Sequence, residues 1–108
     1  MKIMQGDSYP LYIRLTIDGE VLTPDLILEL EVCIGDVLRK LHSKDEVKFD
    51  YDSNCWYIWP TQEETLAMDV GQYSVVVRIK YLNDTLNQVQ GQQIGRLSVV
   101  DSISEEAI

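Results

Sequence analysis

Residues 73–81 read YSVVVRIKY, a run of nine with an apolar residue at every second position. Tyrosine, valine and isoleucine fill the odd positions, whereas Ser74, Arg78 and Lys80 lie on the other phase. Because successive side chains of a strand point to opposite faces, this spacing predicts a strand with one buried face. The rest of the chain is interpreted outward from this strand.

The same period of two recurs elsewhere in the sequence. Residues 9–18 carry apolar side chains at odd positions, and residues 28–34 carry them at even positions. Glu29 and Glu31 alternate with the second set, so its charged face is expected to meet water. Further strands are predicted over 37–41, 47–51, 55–59 and 88–100, separated by turns at Asp18-Gly19, Pro24-Asp25, Gly35-Asp36, Asp52-Ser53-Asn54 and Asn83-Asp84.

One short helical segment interrupts the strands. Pro60 ends a strand, Thr61 is a plausible N-cap, and Glu64 provides the carboxylate that a capping box needs three residues later. About seven strands with one helical turn predict an all-β, antiparallel sandwich. This domain is expected to span residues 1–101, followed by a flexible acidic tail over 102–108.

Composition limits the possible partners. The 108 residues suffice for one domain, and nine basic against eighteen acidic residues give a net charge of −9. Such a chain is expected to bind neither nucleic acid nor an anionic membrane. The excess of acidic residues either keeps the protein soluble or serves to bind a partner with a basic surface. The sequence shows no signal peptide and no membrane-spanning run, so a soluble protein is expected.

Catalytic and metal-binding groups are scarce. The single histidine, His42, lies in a polar stretch expected to be a loop. A serine or cysteine nucleophile would need that one histidine as its base, which argues against nucleophilic catalysis. Residues 50–54 copy the start of a calcium loop, but Cys55 replaces its glycine and Thr61 its glutamate. Residues 91–95 contain two glycines within a strand pattern, where they predict bulges or a close backbone approach, not nucleotide binding. We therefore expect no enzyme, no cofactor and no metal.

Two cysteines, Cys33 and Cys55, are present. Free thiols are favoured over a bridge because nothing else in the sequence indicates an oxidising compartment. An immunoglobulin domain places a tryptophan between its two cysteines, and here both tryptophans follow the second one.

An aromatic run is the main candidate for a binding surface. Residues 56–59 read Trp-Tyr-Ile-Trp. If Trp56 points inward, Tyr57 and Trp59 remain near the surface, where aromatic side chains typically anchor protein interfaces or sugars. The alternative is that Leu66 and Met68 of the neighbouring helical turn cover Trp59. The sequence alone leaves the buried phase open.

Three stretches resemble one family. They are Gln5-Gly6-Asp7-Ser8-Tyr9, Glu64-Thr65-Leu66 with Val70-Gly71-Gln72-Tyr73, and Gly95-Arg96-Leu97-Ser98-Val99. Together they are similar to the N-terminal domain of phage baseplate upper proteins and related short phage or prophage tail proteins. The resemblance implies an immunoglobulin-like sandwich without enzymatic activity that assembles with itself or with other tail components. It also implies a location in the virion, or in the bacterial host cytoplasm during assembly.

The sequence departs from that family in two respects. The hairpin near Ser53 and Asn54 lacks a glycine, and the long extension that carries receptor-binding modules in larger members is not present. The leading hypothesis is a structural, protein-interacting subunit of a phage tail or baseplate, which includes a possible homo-oligomer. The alternative is a carbohydrate-binding or adhesion module that uses exposed aromatic side chains. Assembly is expected at an exposed strand edge, for which the glutamine-rich last strand is one candidate.

Overall fold

The structure, a computed structural model, describes residues 1–82 and 89–101. Within them lie ten strands and one α-helix. They are β1 (Lys2–Met4), β2 (Leu11–Ile13), β3 (Thr16–Ile17), β4 (Glu20–Val21), β5 (Ile27–Ile34), β6 (Leu38–Leu41), β7 (Val47–Asp50), β8 (Cys55–Ile58), α1 (Gln62–Leu66), β9 (Gly71–Tyr81) and β10 (Val89–Val100). Two 3-10 turns occupy Pro24–Leu26 and His42–Lys44. The prediction of an all-β chain is confirmed, and the predicted helical turn is α1, whereas the two 3-10 turns were not predicted.

The strands form two main sheets and a small hairpin. The first sheet has the order β1-β10-β9-β5-β6, the second has the order β2-β8-β7, and β3 pairs with β4. All pairings are antiparallel except that of β1 with β10, where Lys2 lies opposite Ser98 in parallel. The prediction of purely antiparallel pairing is therefore wrong at this edge. The two strands lie far apart in the chain, so no hairpin turn imposes an antiparallel direction on them.

Both main sheets bury side chains in one hydrophobic core. Strands β1, β5, β9 and β10 contribute from the first sheet, and all three strands contribute from the second. Val75 and Val77 of β9 are buried, as the alternation in residues 73–81 predicts. Trp56, completely buried in β8, is the largest side chain of this core.

The predicted first long strand is divided in two. β2 pairs with β8, whereas β3 pairs with β4, so the chain changes partner near Leu15. Leu22 donates its backbone N–H to the Leu15 carbonyl oxygen at 2.9 Å and closes the small hairpin. Leu15 stays buried, so the predicted phase holds across the break. The strand count exceeds the expected seven because such short pieces pair separately.

Strand β5 departs from its predicted pattern in two ways. A register shift between Ile27 and Glu29 turns Ile27 inward and leaves Leu28 51% exposed. Such a shift is the mark of a β-bulge, which interrupts the alternation. Glu31, expected to meet water, is only 7% exposed, because Arg39 and Arg78 pack against its carboxylate from the two neighbouring strands.

Two turns and one bulge use left-handed or unusual backbone. Asp18 and Gly19, between β3 and β4, have φ of 51° and 82°, as a two-residue hairpin requires. In the β7–β8 hairpin, which lacks a glycine, Asn54 adopts φ 57°, which asparagine tolerates better than most residues. The pairing of β10 shifts between Gln93 and Gly95, so the predicted bulge is confirmed at Gly95.

Helix α1 is hydrogen-bonded to the segment that precedes β2, at Gly6 and Asp7. Its capping box is confirmed, since Thr61 Oγ1 accepts from the Glu64 N–H at 3.1 Å and Glu64 Oε1 accepts from the Thr61 N–H at 2.9 Å. Thr65, 1% exposed, accepts from the Gly6 N–H at 3.0 Å and donates to the Asp7 carbonyl oxygen at 2.8 Å. One buried hydroxyl therefore joins α1 to the segment that leads into β2.

Two predicted features lie outside the described residues, namely the turn at Asn83-Asp84 and the acidic tail over 102–108. Cys33 and Cys55 are both free thiols, on different sheets. Among the helices of residues 1–82 and 89–101, none has the length and apolar character needed to cross a membrane.

Candidate functional site

The outer surface of the second sheet carries the aromatic residues singled out in the sequence. Trp56 and Ile58 point into the core, 0% and 1% exposed, so Tyr57 takes the outer phase and is half-buried. Trp59, just beyond the end of β8, is 56% exposed. Of the two phases that the sequence left open, this one leaves two aromatic side chains, Tyr57 and Trp59, at the surface.

Tyr12 is a third member of this surface that the sequence analysis missed. It pairs in register with Tyr57 across β2 and β8, is 50% exposed, and places its ring centroid 5.5 Å from that of Tyr57. The available signal was its position between the inward-facing Leu11 and Ile13. We refer to Tyr12, Tyr57 and Trp59 as the aromatic face.

The exposed indole of Trp59 is fixed by a short chain of hydrogen bonds. Its Nε1 donates to Ser8 Oγ at 3.1 Å, and Ser8 Oγ donates to the Pro60 carbonyl oxygen at 2.8 Å. Met68 lies in the core and Leu66 lies against Gly6. The alternative that these two side chains cover Trp59 is therefore wrong, since Trp59 is 56% exposed. The ring is therefore oriented by polar contacts and remains accessible.

Open recesses flank the aromatic face on two sides. One, of about 380 Å³, is lined by Tyr12, Phe49, Asp50, Tyr51, Asp52, Tyr57 and Trp59. The other, of about 360 Å³, is lined by Lys40, Asp45, Glu46, Lys48, Tyr57 and Trp59. Carboxylates are thus the main charged groups of the first recess, and both signs of charge occur in the second.

The β7–β8 hairpin, which resembled the start of a calcium loop, is closed by its own side chain. Asp50 Oδ1 accepts from the Asp52 N–H at 3.0 Å, and Asp50 Oδ2 accepts from Ser53 Oγ at 2.9 Å. Both carboxylate oxygens of Asp50 therefore stabilise the turn. Within the described part of the chain, histidine, cysteine and carboxylate side chains form no group of three that could hold a metal ion.

A second polar cluster lies on the outer surface of the first sheet. Glu31 accepts hydrogen bonds from Arg39 Nε and from Cys33 Sγ, the latter at 3.2 Å, and lies 3.7 Å from Arg78 Nη1. Burial raises the pKa of Glu31, but the hydrogen bonds and the two arginine charges outweigh burial, so its pKa is lowered. Burial and the Glu31 carboxylate raise the pKa of the Cys33 thiol. The cluster thus joins three neighbouring strands, and the raised pKa disfavours the thiolate form of Cys33.

His42 is more buried than the predicted loop would make it. Its Nδ1 lies 2.7 Å from the Val47 carbonyl oxygen, and its ring meets Trp56 edge to face at 5.2 Å. The imidazole therefore packs against the core and joins the 3-10 turn to β7. These contacts give His42 a structural role.

Comparisons with protein-family models, with curated proteins and with solved structures found no match to this chain.

Proposed function

We propose that this chain is a non-enzymatic, protein-interacting structural subunit of a phage or prophage tail or baseplate, built as an immunoglobulin-like sandwich. The aromatic face carries the proposal, because it presents Tyr12, Tyr57 and Trp59 together on the outside of a well-packed sheet. Another tail protein is the proposed occupant of this surface.

The aromatic face has the physical properties of an interface anchor. Tyrosine and tryptophan bury large areas and keep few rotatable bonds, so they dominate the energy of many protein interfaces. Tyr12 and Tyr57 contact each other, and Ser8 holds the Trp59 indole. Because these rings are already ordered, binding costs less side-chain entropy than it would for free side chains.

The phage setting is proposed on the resemblance of three stretches, which contact one another in the fold. Residues 5–9 and 64–66 are joined by the Gly6 to Thr65 hydrogen bond, although they lie 59 positions apart. Residues 95–99 lie in β10 and pair with β9, where Leu97 lies opposite Tyr73 of the second stretch. The residues that carry the resemblance thus share structural contacts. The shared core of the two sheets supports the sandwich architecture.

A carbohydrate-binding or adhesion module is the second candidate. The recess of about 380 Å³ favours it, because carboxylates of Asp50 and Asp52 lie beside Tyr12 and Trp59. Sugars are commonly held by aromatic rings that cover their apolar faces and by polar groups that bind their hydroxyls.

A binding experiment separates the two candidates. The purified chain is tested against the products of adjacent reading frames by pull-down and calorimetry, and against a glycan array. Trp59→Ala and Tyr12→Ala are the test variants. Leu28→Ala is the matched control, since it removes a similarly exposed apolar side chain, 51% against 56% for Trp59, from the other sheet.

The proposal expects binding to a tail component that each test variant weakens by about tenfold or more and that the control leaves unchanged. A glycan signal that Trp59→Ala abolishes would transfer the assignment to the carbohydrate module. Absence of binding to any virion component would refute the proposed role.

A further inference from the structure

Strand β10 has a long edge that no neighbouring strand covers among the described residues. β9 pairs with β10 from Val89 to Val99, but β1 pairs with it only at residues 98–100. Within residues 1–82 and 89–101, no strand pairs with the other edge of residues 89–95. Unpaired main-chain groups at such an edge invite a further strand.

The direction of the main-chain groups follows from the contacts with the N-terminus. The Ser98 N–H donates to the Met1 carbonyl oxygen at 3.0 Å, and the Arg96 carbonyl oxygen accepts from the Met1 amino group. Even-numbered residues after the bulge therefore face β1. Odd-numbered residues there face β9, because main-chain groups alternate along a strand.

The bulge reverses this order in the first part of β10. The extra residue between Gln93 and Gly95 shifts the pairing by one position. As a result Val89, Gly91 and Gln93 direct their N–H and C=O groups to the open edge. Three residues, each with one donor and one acceptor, thus form a regular row with the spacing of a strand.

Apart from the bulge after Gln93, this edge lacks the side chains that usually protect an edge against pairing. Residues 89–95 read Val-Gln-Gly-Gln-Gln-Ile-Gly and contain neither charge nor proline, in a chain of net charge −9. By contrast, the opposite edge of the sheet, β6, has four residues and includes Arg39 and Lys40. Short edges and charged side chains discourage strand addition, and β10 has neither.

We propose that the open edge of β10 pairs antiparallel with the same edge of a second copy of this chain, with the two-fold axis at Gly91. Gly91 then faces Gly91 of the other copy, and Val89 faces Gln93. Each facing pair exchanges two main-chain hydrogen bonds, so about six form in all. The two first sheets become one continuous sheet.

The pairing is self-complementary on both faces of the strand. On the inner face, Gln90 lies opposite Gln92 of the other copy, and each amide offers both a donor and an acceptor. On the outer face, Gly91 places no side chain at the axis. Arg78, opposite Gly91 on β9, is three strand spacings from its symmetry mate, about 14 Å, which exceeds the Debye length of about 8 Å at physiological salt.

This inference rests on the proposed interaction role and names one partner for it, but it uses a different surface. The aromatic face belongs to the second sheet and β10 to the first. Self-pairing can therefore be tested on the isolated chain, without any tail component.

The experiment measures the dimer dissociation constant by sedimentation equilibrium over a concentration series. Gly91→Glu places two carboxylates opposite each other at the axis, while it faces Arg78 within its own copy. Gly91→Ala is the matched control without charge. Its Cβ would lie 3.4 Å from Arg78 Cγ, an ordinary contact. Circular dichroism verifies folding, and Gln93→Pro, which removes one outward N–H, serves if Gly91→Glu does not fold.

The proposal expects a dimer that Gly91→Glu weakens by at least about tenfold and that Gly91→Ala retains. Mixing Gly91→Glu with Gly91→Lys should restore the dimer, because opposite charges then meet at the axis. A monomer at every concentration, or a dimer indifferent to Gly91→Glu and Gln93→Pro, overturns the inference. Failure of mixing to restore the dimer overturns the register. A dimer without any tail partner would leave self-pairing standing and refute only the docking role.

Discussion

Replacing Trp56 by phenylalanine tests the central packing of the domain. Trp56 is 0% exposed and its Nε1 donates to the Leu22 carbonyl oxygen at 2.9 Å. Trp56→Phe leaves that buried carbonyl without its partner, which costs about 1–2 kcal/mol, and the smaller ring leaves a space that adds about as much. We expect a loss of roughly 3 kcal/mol and a fall in Tm on the order of 15 °C for a domain of this size.

Trp59→Phe is the matched control, since it makes the same substitution at the exposed tryptophan. Its lost hydrogen bond to Ser8 lies at the surface, so we expect less than about 0.5 kcal/mol. Urea unfolding followed by circular dichroism measures both variants. Acrylamide should quench the fluorescence of Trp59 in Trp56→Phe more strongly than that of Trp56 in Trp59→Phe. Equal losses of stability, or a larger loss for Trp59→Phe, would refute the assignment of the buried phase.

Two further predictions concern the polar groups that join the strands. Because the folded pKa of Glu31 is lowered, its contribution to stability is complete above its ordinary value of 4.5 and is lost as pH falls through the folded pKa. In Glu31→Gln, the free energy of unfolding should therefore fall less steeply at acidic pH than it does in the parent chain, whereas Glu20→Gln, at an exposed position, should follow the parent. The same pH dependence in Glu31→Gln and the parent would contradict this. Thr65→Val should lower the free energy of unfolding by about 2 kcal/mol and speed hydrogen exchange at the Gly6 N–H, because the buried hydroxyl that accepts from it is lost. Thr16→Val, at an exposed position, is the control. Unchanged exchange at Gly6 would disprove the hydrogen bond from Gly6 to Thr65.

Local patterns predicted much of the fold because they report local physics. The alternation of residues 73–81 gave β9 with its buried valines, and the Thr61 and Glu64 pair gave the start of α1. Both features depend on residues within a few positions of each other. The Asp18-Gly19 turn is equally local, since two left-handed residues suffice for a tight hairpin.

Features that depend on distant partners were not predictable in the same way. The alternation in β5 made Glu31 a surface residue, yet Arg39 and Arg78 come from strands on either side and compensate its burial. The parallel pairing of β1 with β10 joins the beginning of the chain to its other end. No periodicity within either segment carries that information.

The candidate surfaces show the same division between local and distant information. The run at residues 56–59 identified Tyr57 and Trp59, but Tyr12 joins them only through the register of β2 with β8. Likewise, the glutamine-rich composition of β10 is visible in the sequence, whereas its open edge depends on where β1 ends its pairing. The sequence of one strand therefore does not define an interaction surface. What defines it is the set of neighbours that the fold places beside that strand, or leaves out.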